Sequence, residues 1–548
     1  MNIYDYLIVA AYIIFFLGMG YFFKNNKNST DYFLGGRSMG WFPLSLSTMA
    51  TQLSAISFIS APAFVGIKMG GGMKWLTFEF AVPLAMLFIM LMIIPPLFRS
   101  GVVSIYEFVE RRFSASTRLI LSVVFQLSRA LATGVMVYTI ALIIQAVLDI
   151  DKGYTILIIS VITIIYSWQG GMKAVVWGDA IQMILLFGGL LACLIFGYQE
   201  LQAVGGLANG FDPTRLQVID FNWGIGEGQE YGIWPMLIGG FFLYVSYYGC
   251  DQTQAQRMLS AKNEKTIRQL LLANGLLRFP VVLVYCVMGL IIGALVSSSP
   301  DFMADLVATT QKHFPAAAAN NGINTDLMIP IFIIKYLPHG VIGLLMVAIL
   351  SAAMSSLSST VNSLSAVSVE DFFNRGKRKL EGAAYMRTSK LMVLFWGVVC
   401  ISASFLFGGS KSTVIEIINA IGSVFYGPVL VTFLLAIFSK KVNHYGMNAG
   451  IVVAVLVNLA FSSTMQEILG YDIGVEIFWI WLNFTGVILT LVIAYGVSAM
   501  TSTSVAVKEG IPFRLKREDI FQKETYILVG FFITILILSY FIPVIFGN

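Results

Sequence analysis

The sequence predicts an all-α polytopic membrane protein of about fourteen transmembrane helices. Three observations carry that prediction. Of 548 residues, 57% are hydrophobic and only 11% charged, with a mean hydropathy of +0.82; a soluble chain carries roughly 25% charged residues. Apolar runs long enough to span a bilayer core of ~30 Å recur along the whole chain. The basic residues gather in the loops of one side, as orientation in a membrane requires.

In chain order the runs are 3–23, 40–67, 75–98, 119–148, 153–172, 175–199, 232–250, 269–297, 328–372, 389–408, 413–438, 446–464, 473–498 and 525–546. The run 328–372 is interrupted near Pro338-His339-Gly340, which predicts a short helix and then one long helix. With the N-terminus outside, 25 of the 34 basic residues fall in cytoplasmic loops and 6 in outer loops, while Arg129, Arg278 and Lys335 lie within or near segments. Both termini are then expected outside, with long polar outer loops at 200–231 and 298–327. No cleavable signal peptide is expected, because no basic stretch precedes the first run and no small-residue cleavage site follows it. The longest cytoplasmic piece, about 499–524, is too short for a domain of its own, so the chain is expected to work within the membrane. Cys193, Cys250, Cys286 and Cys400 sit in or beside apolar runs and read as small hydrophobes without disulfides.

The most unusual stretch is 350–363, which follows the apolar run Val341 to Ile349 yet is crowded with Ser and Thr and includes Asn362. Ala352, Ser355, Ser356, Ser359 and Ser363 recur at helical spacing and share one face. Small residues there permit close helix packing, and their hydroxyls are also ligands for a hard cation such as Na⁺. The run 45–62 is too polar for a lipid-facing helix and ends near Pro62; it is either a helix interrupted in mid-membrane, with carbonyls free to bind ions and substrate, or a Pro-kinked helix in a bundle. Residues 247–257 repeat the theme. Two interrupted helices at corresponding places in two five-helix halves point to an inverted-repeat transporter.

Ionisable residues inside segments are expensive and therefore informative. Arg129 is either a bidentate clamp for a substrate carboxylate or a structural residue, paired with another helix or snorkelling to the cytoplasmic side. Glu79 either accepts hydrogen bonds from a substrate or pairs with Lys74. Asp179 is an ion ligand or exit-path residue, or a carboxylate favoured by a helix N-terminus. Arg278, just before Pro280, reads as a structural anchor. The histidines His313, His339 and His444 are far apart, no Cys/His cluster is present, and Gly70-Gly71-Gly72 lacks the residues of a phosphate loop. No enzyme and no ATP-driven module is expected, and the basic loop 375–390 reads as topology signal and membrane-surface contact, not as a nucleic-acid site.

Five stretches, in order, carry a family resemblance: 31–38 (DYFLGGRS), 106–113 (YEFVERRF), 166–171 (YSWQGG) with 176–182 (VWGDAIQ), 254–257 (QAQR), and 354–359 (MSSLSS) with Asn362-Ser363. Together they resemble the sodium:solute symporter family, which includes sodium/galactose and sialic acid symporters. The resemblance implies a ten-helix, 5+5 inverted-repeat core of the amino-acid-transporter type over 39–440, flanked by an extra helix and loop in 1–38 and three extra helices in 441–548. It implies alternating access driven by Na⁺ as coupling ion. The main sodium site then falls on the carbonyls of Ala50, Leu53 and Ala352 and the hydroxyls of Ser355 and Ser356. A second site falls on Ser358 with Ser355, Ser359 and Asp179, giving two Na⁺ per substrate. Solute-binding positions carry over to Gln52, Ser54, Ser57, Glu79, Arg129 and Asn419, with Tyr247 as an inner gate. The galactose transporters' pocket lysine on the seventh core helix has no counterpart near Gly275-Leu276, and Arg129 matches an arginine of sialic acid symporters. The expected solute is thus a sugar or sugar-derived compound, acidic ones such as sialic acid included, with a monocarboxylate, a polyol or another small organic solute as alternatives. A passive channel and a transporter-like sensor are the rival classes; no repeated filter and no signalling domain favour either. The expected partners are the solute, sodium ions and membrane lipids in the plasma (inner) membrane, with no nucleic acid and no obligate protein partner.

Overall fold

Helices carry the whole architecture of the computed structural model, which describes residues 1–26, 28–206, 211–226, 229–318, 322–375, 380–405, 414–501, 515 and 517–546. In chain order they are α1 (Ile3–Phe22), α2 (Ser29–Leu34), α3 (Trp41–Gln52), α4 (Ala55–Gly66), α5 (Ala81–Phe88), α6 (Ile94–Arg99), α7 (Ile105–Arg112), α8 (Ala115–Leu148), α9 (Lys152–Ala203), α10 (Gly240–Cys250), α11 (Gln252–Leu259), α12 (Glu264–Ser298), α13 (Pro300–His313), α14 (Pro315–Ala318), α15 (Met328–Tyr336), α16 (Val341–Ser368), α17 (Gly382–Ser404), α18 (Val414–Phe438), α19 (His444–Phe461), α20 (Ser463–Leu469), α21 (Trp479–Thr501), α22 (Arg517–Ile520) and α23 (Lys523–Phe546). A 3₁₀ stretch, Met73–Phe80, leads into α5. No strand occurs among the described residues beyond two isolated bridges.

Among the described residues, eleven helices are long and apolar enough to cross a membrane, or twelve when the bent pair α3–α4 is one span. The fourteen expected runs are not all separate in that count. Two of them, 153–172 and 175–199, lie within the 52 residues of α9. As one straight helix, α9 would be ~78 Å long, more than twice the hydrocarbon core. Gly171, at φ 57° and ψ −150°, breaks it, a conformation open to glycine. The run 232–250 is a π-turn, Pro235–Gly239, followed by the 11 residues of α10. The outer loop 298–327 is not irregular throughout, for it contains α13. Basic residues Lys27, Lys377, Arg378, Lys379, Lys411, Lys508, Arg514 and Lys516 lie outside the described residues.

The interior is built by α8, α12, α16 and α18, which are mostly buried, while α1 and α23 face largely outward. The interrupted run 328–372 is α15 and then α16, with Leu337 extended between them. The buried Asp5 of α1 fixes where α16 begins. Its carboxylate accepts from the Gly340 and Gly343 N–H groups at 2.7 and 2.9 Å, satisfying donors that the first helical turn leaves open. α16 then runs between α9 and α1, and this placement carries its hydroxyl face into the protein. α4 crosses α12 at a near-contact of backbones. A Cβ on Gly293 would meet the Gly66 Cα at 2.6 Å, and one on Gly289 would meet the Pro62 carbonyl oxygen at 2.5 Å.

Candidate functional site

The polar run 45–62 is interrupted at Leu53-Ser54, not at Pro62, which lies inside α4. Leu53 donates to the Met49 carbonyl at 2.7 Å, and Ser54 is extended at φ −78° and ψ 176°. α4 then departs at 55°. The last carbonyls of α3, including those of Ala50 and Leu53, run past the end of the helix without i+4 donors. Within the membrane such oxygens persist only against protein, water or a bound cation.

Beside this break lies Asp179 of α9, fully buried. It is not at a helix N-terminus but eight residues beyond the Gly171 break. Ser47 of α3 donates to its Oδ2 at 2.6 Å, Ser355 of α16 to its Oδ1 at 2.7 Å, and Ser359 to Oδ2 at 3.2 Å. Arg257 completes the cluster: Nη2 reaches Asp179 Oδ2 at 2.7 Å and Nε donates to Ser47 Oγ at 2.7 Å. Sequence reasoning placed Arg257 among cytoplasmic loop charges. Only 1% of it is exposed, because the break at Asp251 turns α11 back into the protein instead of releasing it as a loop. Ser356 donates to the Ala352 carbonyl at 3.3 Å, and Ser358 to the Ser355 carbonyl at 3.0 Å, so Ser358 does not touch Asp179 directly. Ser363 and Ser365 bond within the bundle, to Ser359 and Ser389 carbonyls. The donor set around α3, α9 and α16 is hydroxyl, carbonyl and one carboxylate. That is hard-oxygen chemistry, and no cluster of three or more His, Cys, Asp or Glu able to hold a metal occurs among the described residues.

At the break is a cavity of about 560 Å³, its open mouth included. Gln52, Ser54 and Ser57 line it from the first core segment, Glu79 from the 3₁₀ stretch and Asn419 from α18. Arg278 and Tyr285 of α12 also line it; sequence reasoning missed both as site residues. Glu79 does not pair with Lys74, which bonds to Asp220 at 2.8 Å. Arg278 takes Glu79 instead, with Nε to Oε2 at 2.9 Å and Nη2 to Oε1 at 3.2 Å. Tyr244 donates to Glu79 Oε1 at 3.1 Å. The available signal was the presence of two lone opposite charges, each inside an apolar run, with Val282 and Tyr285 following Arg278 at i+4 and i+7 on one face.

Arg129 and Tyr247 are absent from that cavity's lining. Arg129 is paired: Nε meets Asp251 Oδ2 at 2.6 Å and Nη2 donates to Tyr426 OH at 2.8 Å. Its guanidinium carbon lies 4.8 Å from the Tyr247 ring centroid, within cation–π range. Asp251 is the residue at which α10 breaks into α11. Of the two readings open for Arg129, the pair with another helix is the one the geometry shows.

Residues 32–454 match the model of the sodium:solute symporter family. Sodium-coupled monocarboxylate transporter 2 of Danio rerio is 30% identical over 465 residues, 82% of this chain and 70% of that protein. The sodium/sialic acid symporter SiaT of Proteus mirabilis is 28% identical over 474 residues, 83% of this chain and 89% of that protein. Among solved structures, a substrate-bound, outward-open Na⁺-coupled sialic acid symporter superposes with a TM-score of 0.73 at 25% identity, covering 91% of this chain and 98% of that one. A nucleobase-cation-symport-1 family transporter shares the fold at a TM-score of 0.51 and 13% identity, over 90% of this chain and 97% of that one.

Proposed function

The chain belongs to the sodium:solute symporter family, and from that premise we propose that it couples two Na⁺ to the uptake of one small polar organic solute by alternating access. Sodium-coupled symport through a multi-pass membrane protein is the activity of the family. The finer reading places the transport core at 39–440 in the plasma (inner) membrane, both termini outside, surrounded by lipid and with no obligate protein partner. The main sodium site takes the Ala50, Leu53 and Ala352 carbonyls with the Ser355 and Ser356 hydroxyls. The second takes Asp179, Ser355, Ser359 and Ser358. The solute site takes Gln52, Ser54, Ser57, Glu79 and Asn419, and the solute is a sugar-derived compound or a small carboxylate. Arg129, Asp251, Tyr247 and Tyr426 close the path two helical turns of α18 beyond Asn419.

One observation carries this reading: α3 touches both sites, its Ser47 donating to Asp179 and its terminal Gln52, with Leu53 and Ser54 at the break, lining the cavity. Ion and solute thus share one discontinuous helix, so each affects the break that the other uses. Purified protein in liposomes with an inward Na⁺ gradient is expected to accumulate solute above the outside concentration, and to release it when the gradient is collapsed. Equilibration without accumulation would identify a passive pore.

A further inference from the structure

The cavity contains a donor with nothing to bind. Arg278 spends Nε and Nη2 on Glu79, but its third nitrogen, Nη1, is buried and has no hydrogen-bond partner among the described residues. The Tyr285 hydroxyl and the Gln52 Oε1 atom are buried and unpartnered as well, and all three residues line the cavity. Arg278 is 6% and Tyr285 0% exposed. Buried polar atoms are nearly always paired, so three orphans around one cavity describe the complement of a ligand.

We infer that Arg278 and Tyr285 bind the carboxylate of the transported solute, and that Gln52 Oε1 accepts a hydrogen bond from a donor group beside it. This rests on the symporter reading above and names its substrate class: small organic acids carrying a hydroxyl or N–H close to the carboxylate. A sugar hydroxyl donates as well as accepts, and a carboxylate is its strongest acceptor. Here Glu79 already accepts three hydrogen bonds, two from Arg278 and one from Tyr244, leaving about one of its roughly four lone-pair sites. What the cavity offers instead is unspent donors, two N–H of Nη1 and one O–H of Tyr285. An ionised carboxylate is an acceptor only, and a guanidinium is its strongest partner. Arg129 is taken by Asp251 and Tyr426, and Arg257 by Asp179 and Ser47. The Arg278–Glu79 pair is neutral, so a bound carboxylate leaves the buried site with a negative charge that a sodium ion next to the break balances. Carboxylate affinity therefore depends on Na⁺.

The test uses the full-length protein in lipid nanodiscs. Thermal shifts with lactate, mandelate and N-acetylneuraminate are compared with lactamide, mandelamide and the methyl ester of N-acetylneuraminate, each in Na⁺ and in K⁺, beside ²²Na⁺ binding without solute. The expected result is a Na⁺-dependent shift by at least one carboxylate and none by its uncharged counterpart. Arg278→Gln is expected to weaken that ligand about 10- to 100-fold and Tyr285→Phe about 10-fold, with ²²Na⁺ binding retained in both. If Arg278→Gln does not fold, Tyr285→Phe decides, because it leaves the ion pair intact. The inference is overturned by equal binding of a carboxylate and its uncharged counterpart, by carboxylates that fail to bind while ²²Na⁺ still binds, or by unchanged affinity in both variants. Loss of ²²Na⁺ binding in the unmodified protein would instead strike the symporter reading itself.

Discussion

Asp179→Asn separates the structural from the ion-binding role of the polar cluster. The carboxylate accepts four hydrogen bonds, from Ser47, Ser355, Ser359 and Arg257, at full burial. An amide keeps the acceptor facing Ser355, but its NH₂ is turned on three donors, one of them a guanidinium. Arg257, 1% exposed, is left without a counter-charge, and removing one partner of a buried pair costs about 3–5 kcal/mol. The charge-balanced variant Asp179→Asn/Arg257→Gln buries no net charge. It is expected to recover most of that loss, remaining below the unmodified protein by about 1–2 kcal/mol for the hydrogen bonds still missing. Sodium coupling behaves differently, because neither variant restores the anionic oxygen opposite Ser355. In both, the Hill coefficient for Na⁺ activation of uptake is expected to fall from near two to near one. Denaturant unfolding in detergent gives the stabilities, and proteoliposome uptake across a Na⁺ series gives the coefficient. A double variant that keeps a coefficient near two would refute a sodium site at Asp179. A single variant within about 1 kcal/mol of the unmodified protein would refute the buried pair.

Four further outcomes are expected. Ser358→Ala lowers the Na⁺ Hill coefficient from near two to near one; an unchanged stoichiometry removes Ser358 from the sodium ligands. Asp251→Asn strands Arg129 and lowers stability by about 3–5 kcal/mol, whereas Arg129→Gln/Asp251→Asn recovers most of the loss, a double-mutant cycle closed by Arg129→Gln and read by denaturant unfolding. Burial pushes the Asp326 carboxyl up from an ordinary 3.8 to about 6, against the pull of Ser60 and the Val414 N–H. The folded state then holds the proton more tightly than the unfolded one, so this carboxyl's contribution to stability is largest below about pH 4 and falls by about 3 kcal/mol as pH rises through about 6. Asp326→Asn removes that contribution, as unfolding from pH 4 to 8 would show. Gly293→Ala drives a methyl group into the Gly66 backbone and is expected to destabilise by about 1–3 kcal/mol, whereas Gly530→Ala, which meets nothing within 4 Å, leaves unfolding unchanged.

The fold was legible because a bilayer converts it into a count of lengths and charges. Runs such as 389–408 and 525–546 announce α17 and α23 without any knowledge of their neighbours, and Pro338-His339-Gly340 marks the start of α16. The hydroxyl face of 352–363 was legible for a similar reason, since helical spacing alone brings Ser355 and Ser359 together. Charge partners were not. Glu79 meets Arg278 across 199 positions and Arg129 meets Asp251 across 122, and no local pattern encodes such distances. Glu79 was therefore offered Lys74, its nearest opposite charge in sequence. Arg257 was misplaced for a related reason: a polar stretch after an apolar run reads as a loop, and only the break at Asp251 shows that α11 folds back to Asp179.

Three ion pairs lie at or beside the two helix breaks: Arg257–Asp179, Arg278–Glu79 and Arg129–Asp251. Stability does not account for them, since well-packed apolar residues commonly serve as well or better than a buried pair. What apolar packing cannot do is exchange partners. A carboxylate held by an arginine can give part of its coordination to a sodium ion, and an arginine held by a carboxylate can extend an unused N–H to an anion. Asp179 Oδ1, bonded among the described residues to Ser355 alone, is placed for the first exchange, and Arg278 Nη1 for the second. Each exchange alone leaves an unbalanced charge in a low-dielectric interior, and the two together do not. Coupling between cation and anion then follows from charge balance across a single broken helix. It needs no direct contact between them, and by linkage it is reciprocal: whatever factor Na⁺ adds to solute affinity, the solute returns to Na⁺.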